Sequence, residues 1–140
     1  MYYRNIQKKQ PMINAVNYEV KGQLAKLLAT EDLIIENRKV STASFDVKRR
    51  VLTLPMWDRA SGIVYDLLVG HEVGHALFTP CEDWTDRYPE IPPSFVNIVE
   101  DARIEKLMKR KYAGLPKTFF TGYKELQGMD FFKLSEIDVN

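Results

Sequence analysis

Between Ala60 and Phe78 the chain is apolar on nearly every side and carries no lysine or arginine apart from its flanks. Val64, Leu67, Leu68, His71, His75 and Phe78 recur at helical spacing on one broad face, while Ile63, Val69, Val73 and Ala76 line much of the other. A helix this apolar has to be buried in whatever fold it joins. Asp58 or Ser61 can serve as its N-cap, and Pro80 stops it shortly after Phe78. Set into it is His71-Glu72-Val73-Gly74-His75, which holds the only two histidines of the 140 residues. Side chains four apart project from one helix face, so both imidazoles can grip a single metal ion with Glu72 beside them. A buried glutamate is costly without a partner, and a cation is such a partner. Gly70 and Gly74 each lower helix propensity by about 1 kcal/mol relative to alanine. Their spacing of four predicts that another backbone passes close by.

A catalytic zinc needs a third protein donor and one open position. With no further histidine, the donor has to be a carboxylate or thiolate: Cys81, Glu82, Asp83, Asp86, Glu100, Asp101 or Glu105. Residues Ser94 to Tyr112 predict a second helix, with Ser94 as N-cap and lysine and arginine crowding its last turns, where they suit the macrodipole. In its early turns carboxylates interrupt an apolar run of Phe95, Val96, Ile98, Val99 and Ala102, which favours Glu100 as the donor. Asp101 points about 100° away and is placed to orient a histidine through its free ring N–H. Asn97 and Arg103 share the face of Glu100, and Arg103 is set either to bind a substrate carbonyl or to steady Glu100. A solvated row of ion pairs is the competing account of Asp101, Arg103 and Glu105.

The His-Glu-x-x-His arrangement is that of zinc metallopeptidases. Followed by a helical glutamate, it resembles the glutamate zincins (gluzincins). More narrowly, "GHEVGHALF" with "NIVEDARIEKLMKRKY" is similar to the metallopeptidase region of cobalt-chelatase-subunit-like proteins. Relatives of these occur in tailed phages, often ahead of a von Willebrand A domain. "GLPKTFFTGYKEL" resembles the phage proteins too, so the resemblance spans roughly residues 40 to 128. It implies a zinc metalloendopeptidase in which one Zn2+ is held by His71, His75 and Glu100, and Glu72 is general base to a zinc-activated water that hydrolyses peptide bonds. Two features depart from the pattern. Val99 rather than asparagine precedes Glu100, and no D-x-S-x-S motif of a von Willebrand A domain occurs. The alternative is a non-proteolytic zinc-binding module of a larger chelatase-like or von Willebrand A assembly, its site latent. A third reading, a nucleic-acid-associated protease, comes from Lys106, Lys109, Arg110, Lys111 and Lys117. A charge run at a helix C-terminus is more often a solvated face.

The expected fold is therefore α+β: a small zincin-like domain over residues 17–128, its short antiparallel sheet or hairpin packed on the H-E-x-x-H helix and on the second, glutamate-bearing helix. Residues 1–16 read as an N-terminal arm, and 129–140 as a tail or the start of a missing region of a longer parent chain. Asn17 to Ala29 predicts a helix with Val20, Leu24, Leu27 and Leu28 inward. Leu33-Ile34-Ile35 is a strand candidate. Ala43 to Val47 and Val51 to Leu54 flank Lys48-Arg49-Arg50 as a hairpin, whose edge strand can pair with an extended peptide. Leu115 to Gln127 predicts a last helix. The proline-rich loop from Thr79 to Pro93 should border the cleft, with Trp84 and Tyr88 shaping a pocket or packing beneath it. Cys81 is placed to cap the zinc as an inhibitory thiolate. A tetrahedral oxyanion needs a donor, for which Tyr112, Tyr123, Tyr88 and Arg103 are available. A net charge of +1 gives no whole-chain field for nucleic acid or membrane. One cysteine, no apolar signal core and no long apolar stretch fit a cytoplasmic protein, and the resemblance adds a phage as a source.

Overall fold

Helix α1 (Tyr18–Ala29) begins at Asn17, whose side-chain oxygen accepts from the Val20 N–H at 3.1 Å. It ends at Thr30 in the left-handed region, φ 53°. The computed structural model describes residues 16–57, 60–82 and 84–129. The expected arm and tail therefore fall, apart from Val16 and Met129, outside the described residues, as do Asp58 and Asp83. The inward face of α1 agrees with the expected one in part: Leu24 and Leu28 pack against the core. Gly22, Ala25 and Ala29 are buried, whereas Val20 and Leu27 are 55% and 75% exposed. Small residues win because α1 lies tight on its neighbours: a Cβ on Gly22 would stand 3.3 Å from Ile35.

Strands β1 (Ile34–Arg38), β2 (Ser44–Asp46) and β3 (Val51–Pro55) form one sheet in the order β1-β3-β2. β2 and β3 are the expected antiparallel hairpin, with Phe45 opposite Leu52. Asp46 turns it by accepting from the Lys48 and Arg49 N–H groups, both at 3.0 Å, and Arg50 closes the turn at φ 58°. β1 pairs with β3 in parallel, so the sheet is mixed rather than antiparallel. The hairpin already occupies one side of β3; β1 takes the other, and its chain crosses to the far edge before β2. Among the described residues no strand pairs with the outer side of β2.

Helix α2 (Gly62–Phe78) carries the His-Glu-x-x-His run. Ser61 caps it, its Oγ accepting from the Val64 N–H at 3.3 Å. Ten of its residues are buried, including Val64, Tyr65, Leu67, Val69 and Val73, as its all-round apolar character requires. It contacts α1, the sheet and the two later long helices, so it is the centre of the core. Lys21 of α1 meets Asp66 of α2 at 2.5 Å. Tyr65, fully buried, donates its hydroxyl to the Pro55 carbonyl and accepts from the Trp57 N–H at 2.9 Å.

The loop after α2 contains the short helix α3 (Trp84–Arg87) and leads to α4 (Pro93–Lys111). Ser94 is not the N-cap of α4: Pro92 holds that position without a side-chain bond, and Pro93 opens the first turn. Proline suits that place because the amide it lacks has no partner there. Helix α5 (Leu115–Gly128) completes the described chain. What passes close to the α2 glycines is side chain, not backbone. Phe119 of α5 lies 3.2 Å from a Cβ built on Gly70, and Ile104 of α4 lies 2.7 Å from one on Gly74. The described residues are α+β, and none of their helices is long and apolar enough to cross a membrane.

Candidate metal centre

His71 and His75 stand one turn apart on the cleft side of α2, their ring centroids 5.0 Å apart and nearly perpendicular. Facing them on α4 is a second pair at the same spacing, Asp101 and Glu105. Asp101 Oδ1 lies 3.3 Å from His71 Nε2 and 3.0 Å from His75 Nε2. His71, His75 and Asp101 each offer a donor atom, all within 4.8 Å of one another.

The other ring nitrogens are held separately. His71 Nδ1 is 2.6 Å from Glu105 Oε2, and Tyr123 of α5 donates its hydroxyl to the same oxygen. His75 Nδ1 is 2.8 Å from Thr79 Oγ1. The Thr79 hydroxyl donates to Glu100 Oε2 at 2.6 Å, so its remaining capacity toward His75 is as an acceptor. Both histidines thus carry a proton on Nδ1 and aim Nε2 at Asp101.

Glu100, the expected third ligand, is not in this group. Arg103 binds it in a fork, Nε to Oε1 at 2.6 Å and Nη2 to Oε2 at 3.0 Å, and also donates to the Phe78 carbonyl at 2.6 Å. Asp101, expected to orient a histidine, occupies the converging position instead. The exchange has a rotational cause. Glu100 shares its face with Arg103 three residues on, while Asp101 shares a face with Glu105 four residues on. The i, i+4 spacing of Asp101 and Glu105, matching that of the histidines, is the sequence signal that points to them. Thr79, four after His75, is missed by the sequence reading and carries the same spacing. Of the two roles open to Arg103, the structure gives it the steadying of Glu100; its guanidinium also lies 5.0 Å over the Trp84 ring.

Electrostatics follow from these contacts. Burial opposes charge on His71, but hydrogen bonds to Asp101 and Glu105 outweigh it and hold the imidazole up at about 10. Asp101 loses hydration too, yet both histidines keep it far below the usual carboxylate range. Glu100 is likewise lowered, since Arg103 and Thr79 outweigh its burial. Glu72 goes the other way: burial pushes its carboxyl up, against the pull of His71 and His75. It is 7% exposed, and its Oε1 lies 3.9 Å from His71 Nε2. Among the described residues no hydrogen bond to that carboxylate is formed.

The donor set fits a borderline divalent cation. Two imidazole nitrogens and a carboxylate oxygen are a common zinc triad. Donors about 2.0–2.1 Å from a tetrahedral ion sit about 3.3 Å from one another, and the two nitrogen–oxygen separations of 3.3 and 3.0 Å are close to that. With both rings neutral, two lone pairs and a carboxylate face one point, an arrangement that only protons or a cation relieve.

The group lines a cleft of about 490 Å³ together with Glu72, Asn97, Glu100 and Ser44 and Phe45 of β2. A second space of about 430 Å³ adjoins it, sharing Phe45, Val47, His75, Asn97 and Glu100, and reaches Thr79, Cys81 and Trp84 of the loop. Among the other candidates, Cys81 is exposed and Glu82 pairs with Arg87 at 2.9 Å. Tyr112 donates to the Leu28 carbonyl at 2.6 Å, and Tyr88 is outside both linings. Lys109, Arg110 and Lys111 fill the last turn of α4, where they complement its C-terminus; Lys109 lies over Phe119 and Lys111 over Tyr112. No protein-family model, curated protein or solved structure matches the chain.

Proposed function

We propose that this chain is a zinc-dependent endopeptidase of zincin-like arrangement, acting on protein or peptide in the cytoplasm. The observation that carries the reading is the convergence of His71 Nε2 and His75 Nε2 on Asp101, with buried Glu72 beside them, its Oε1 3.9 Å from His71 Nε2. In this reading Asp101, rather than Glu100, is the third donor. Zinc held there supplies Lewis acidity that polarises a substrate carbonyl and acidifies water. Glu72 takes the proton of the attacking water and returns it to the leaving amine, burial having raised the proton affinity of its carboxyl. The outer side of β2 aligns an extended peptide by main-chain hydrogen bonds across the histidines. Arg103 is committed to Glu100 and Phe78, and the Tyr123 hydroxyl, which lines the cleft, donates to Glu105; in this reading Tyr123 exchanges that carboxylate for the oxyanion.

Glu72→Gln is expected to retain zinc and to lose hydrolysis of an unfolded substrate such as casein by about 100-fold or more. Hydrolysis at the wild-type rate would falsify the assignment of Glu72. The departures of the sequence from the zincin pattern favour one second reading, a zinc module of a larger assembly. It expects the same zinc content and no turnover of casein or any peptide by the wild type.

A further inference from the structure

Tyr123 borders two spaces: the metal cleft, and a separate groove of about 730 Å³ where Lys109 of α4 meets α5. Pro116, Phe119, Phe120 and Tyr123 give the groove its apolar walls, and Lys109 and Lys124 add two ammonium groups. Phe120 is 73% exposed, a whole aromatic ring left in water. The packing of α5 on the core does not call for it, since the buried positions of that helix are Leu115, Phe119, Gly122 and Leu126. Among the described residues no carboxylate lines the groove. Its complement therefore brings apolar side chains together with negative charge.

The residues that follow α5 have that composition. Asp130 to Asn140 contain Phe131, Phe132, Leu134, Ile137 and Val139, with three carboxylates against one lysine. They lie outside the described residues, but their starting point is fixed. α5 ends at Gly128, and Lys124 and Gln127 near that end already line the groove. From Gln127 back to Pro116 is about 17 Å at helical rise. Nine residues of extended chain span up to about 30 Å. Covalent attachment also holds the segment at high local concentration, whereas a second copy has to be recruited from solution.

We propose that residues 131–139 turn back along α5 and occupy this groove. Their aromatic and aliphatic side chains cover Phe120, and their carboxylates face Lys109 and Lys124. The docked segment packs on the Tyr123 ring, whose hydroxyl holds Glu105, the partner of His71 Nδ1. It is thus a strap that braces the outer support of the metal centre. The inference is independent of the peptidase reading, since none of its contacts passes through a metal.

The test uses the full chain with a nitroxide at residue 135, attached through Ser135→Cys in a Cys81→Ser background. Amide line widths are read in a nitrogen-15 sample. The signals of Lys109 and Phe120, toward the far end of the groove, are expected to broaden more than those of Phe95, Ile98 and Val99 on the exposed face of α4. Adding Phe131→Ser and Phe132→Ser should abolish that contrast while the amide shifts of α1 stay in place, which reports an intact fold. Broadening that fades within a turn or two of Met129 and spares Lys109 and Phe120 overturns the strap. So does broadening centred on Phe95, Ile98 and Val99, or a doubly substituted chain that broadens like its parent. An equal mixture of nitroxide-bearing chains without nitrogen-15 and nitrogen-15 chains without nitroxide identifies the other occupant. Groove signals that broaden in that mixture mean that the segment seats in a second copy, and they overturn the intramolecular dock.

Discussion

Helices α2 and α4 meet across the cleft with matching pairs four residues apart, His71 and His75 against Asp101 and Glu105, yet they reach that match by opposite routes. α2 is apolar almost all round and buried, so His71 and His75 have one direction to face. α4 is buried only at Val96, Glu100, Ile104 and Met108. On its outer side Phe95, Ile98 and Val99 are more than half exposed. A helix covered on every side fixes its polar residues by exclusion. One covered along a single stripe leaves neighbouring carboxylates to be sorted by their partners. Arg103 and Thr79 claim Glu100, and the histidines claim Asp101.

The sharpest way to break this contrast is to remove each carboxylate's charge in turn. Asp101→Asn is expected to weaken zinc binding by more than the roughly 10–100-fold typical of an outer partner, and Glu100→Gln to fall within that range. Competition titration with a metal indicator measures both. A larger loss from Glu100→Gln would return Glu100 to the ligand position that the family resemblance implies.

Packing gives the next largest effect. A Cβ on Gly122 of α5 would meet the Leu67 Cβ at 2.8 Å, an atom anchored to the backbone of α2. Gly122→Ala should cost about 1–3 kcal/mol by overpacking, reduced by about 1 kcal/mol of improved helix propensity. Gly114→Ala, with nothing within 4 Å, should be close to neutral. Urea denaturation of both variants checks the difference; equal midpoints would mean that α5 is not seated on α2 as described.

The smallest expected effect is a slope with pH. His71 is held at about 10 against an ordinary 6.5, so a cation has to displace a proton from it at neutral pH. Zinc affinity should rise with pH, by up to about tenfold per unit from this group, and level off near that pKa. For the chelator-stripped chain the sign reverses. A raised folded pKa stabilises fully below about 6.5 and is lost as pH climbs toward 10, so stripped protein should weaken across that window. A flat affinity profile between pH 6 and 8 would contradict the hold that Asp101 and Glu105 give the proton on His71.

The sequence alone determined what depends on local pattern. It set α2 and its caps near Ser61 and Pro80, the hairpin turn at Lys48-Arg49-Arg50, and the shared face of the two histidines. Each rests on interactions within a few residues, and helical or strand periodicity records them directly. Tertiary structure decided the rest. It put β1 parallel to β3, on the side that the hairpin leaves open. It turned the small-residue face of α1 inward, because the space beside Ile35 admits no larger side chain. It chose Asp101 over Glu100, because the rotation of α4 against α2 and the reach of Arg103 to the Phe78 carbonyl depend on contacts between segments distant in the chain. A difference of 100° between adjacent carboxylates is written in the sequence; which of them faces the histidines is settled only when the helices pack.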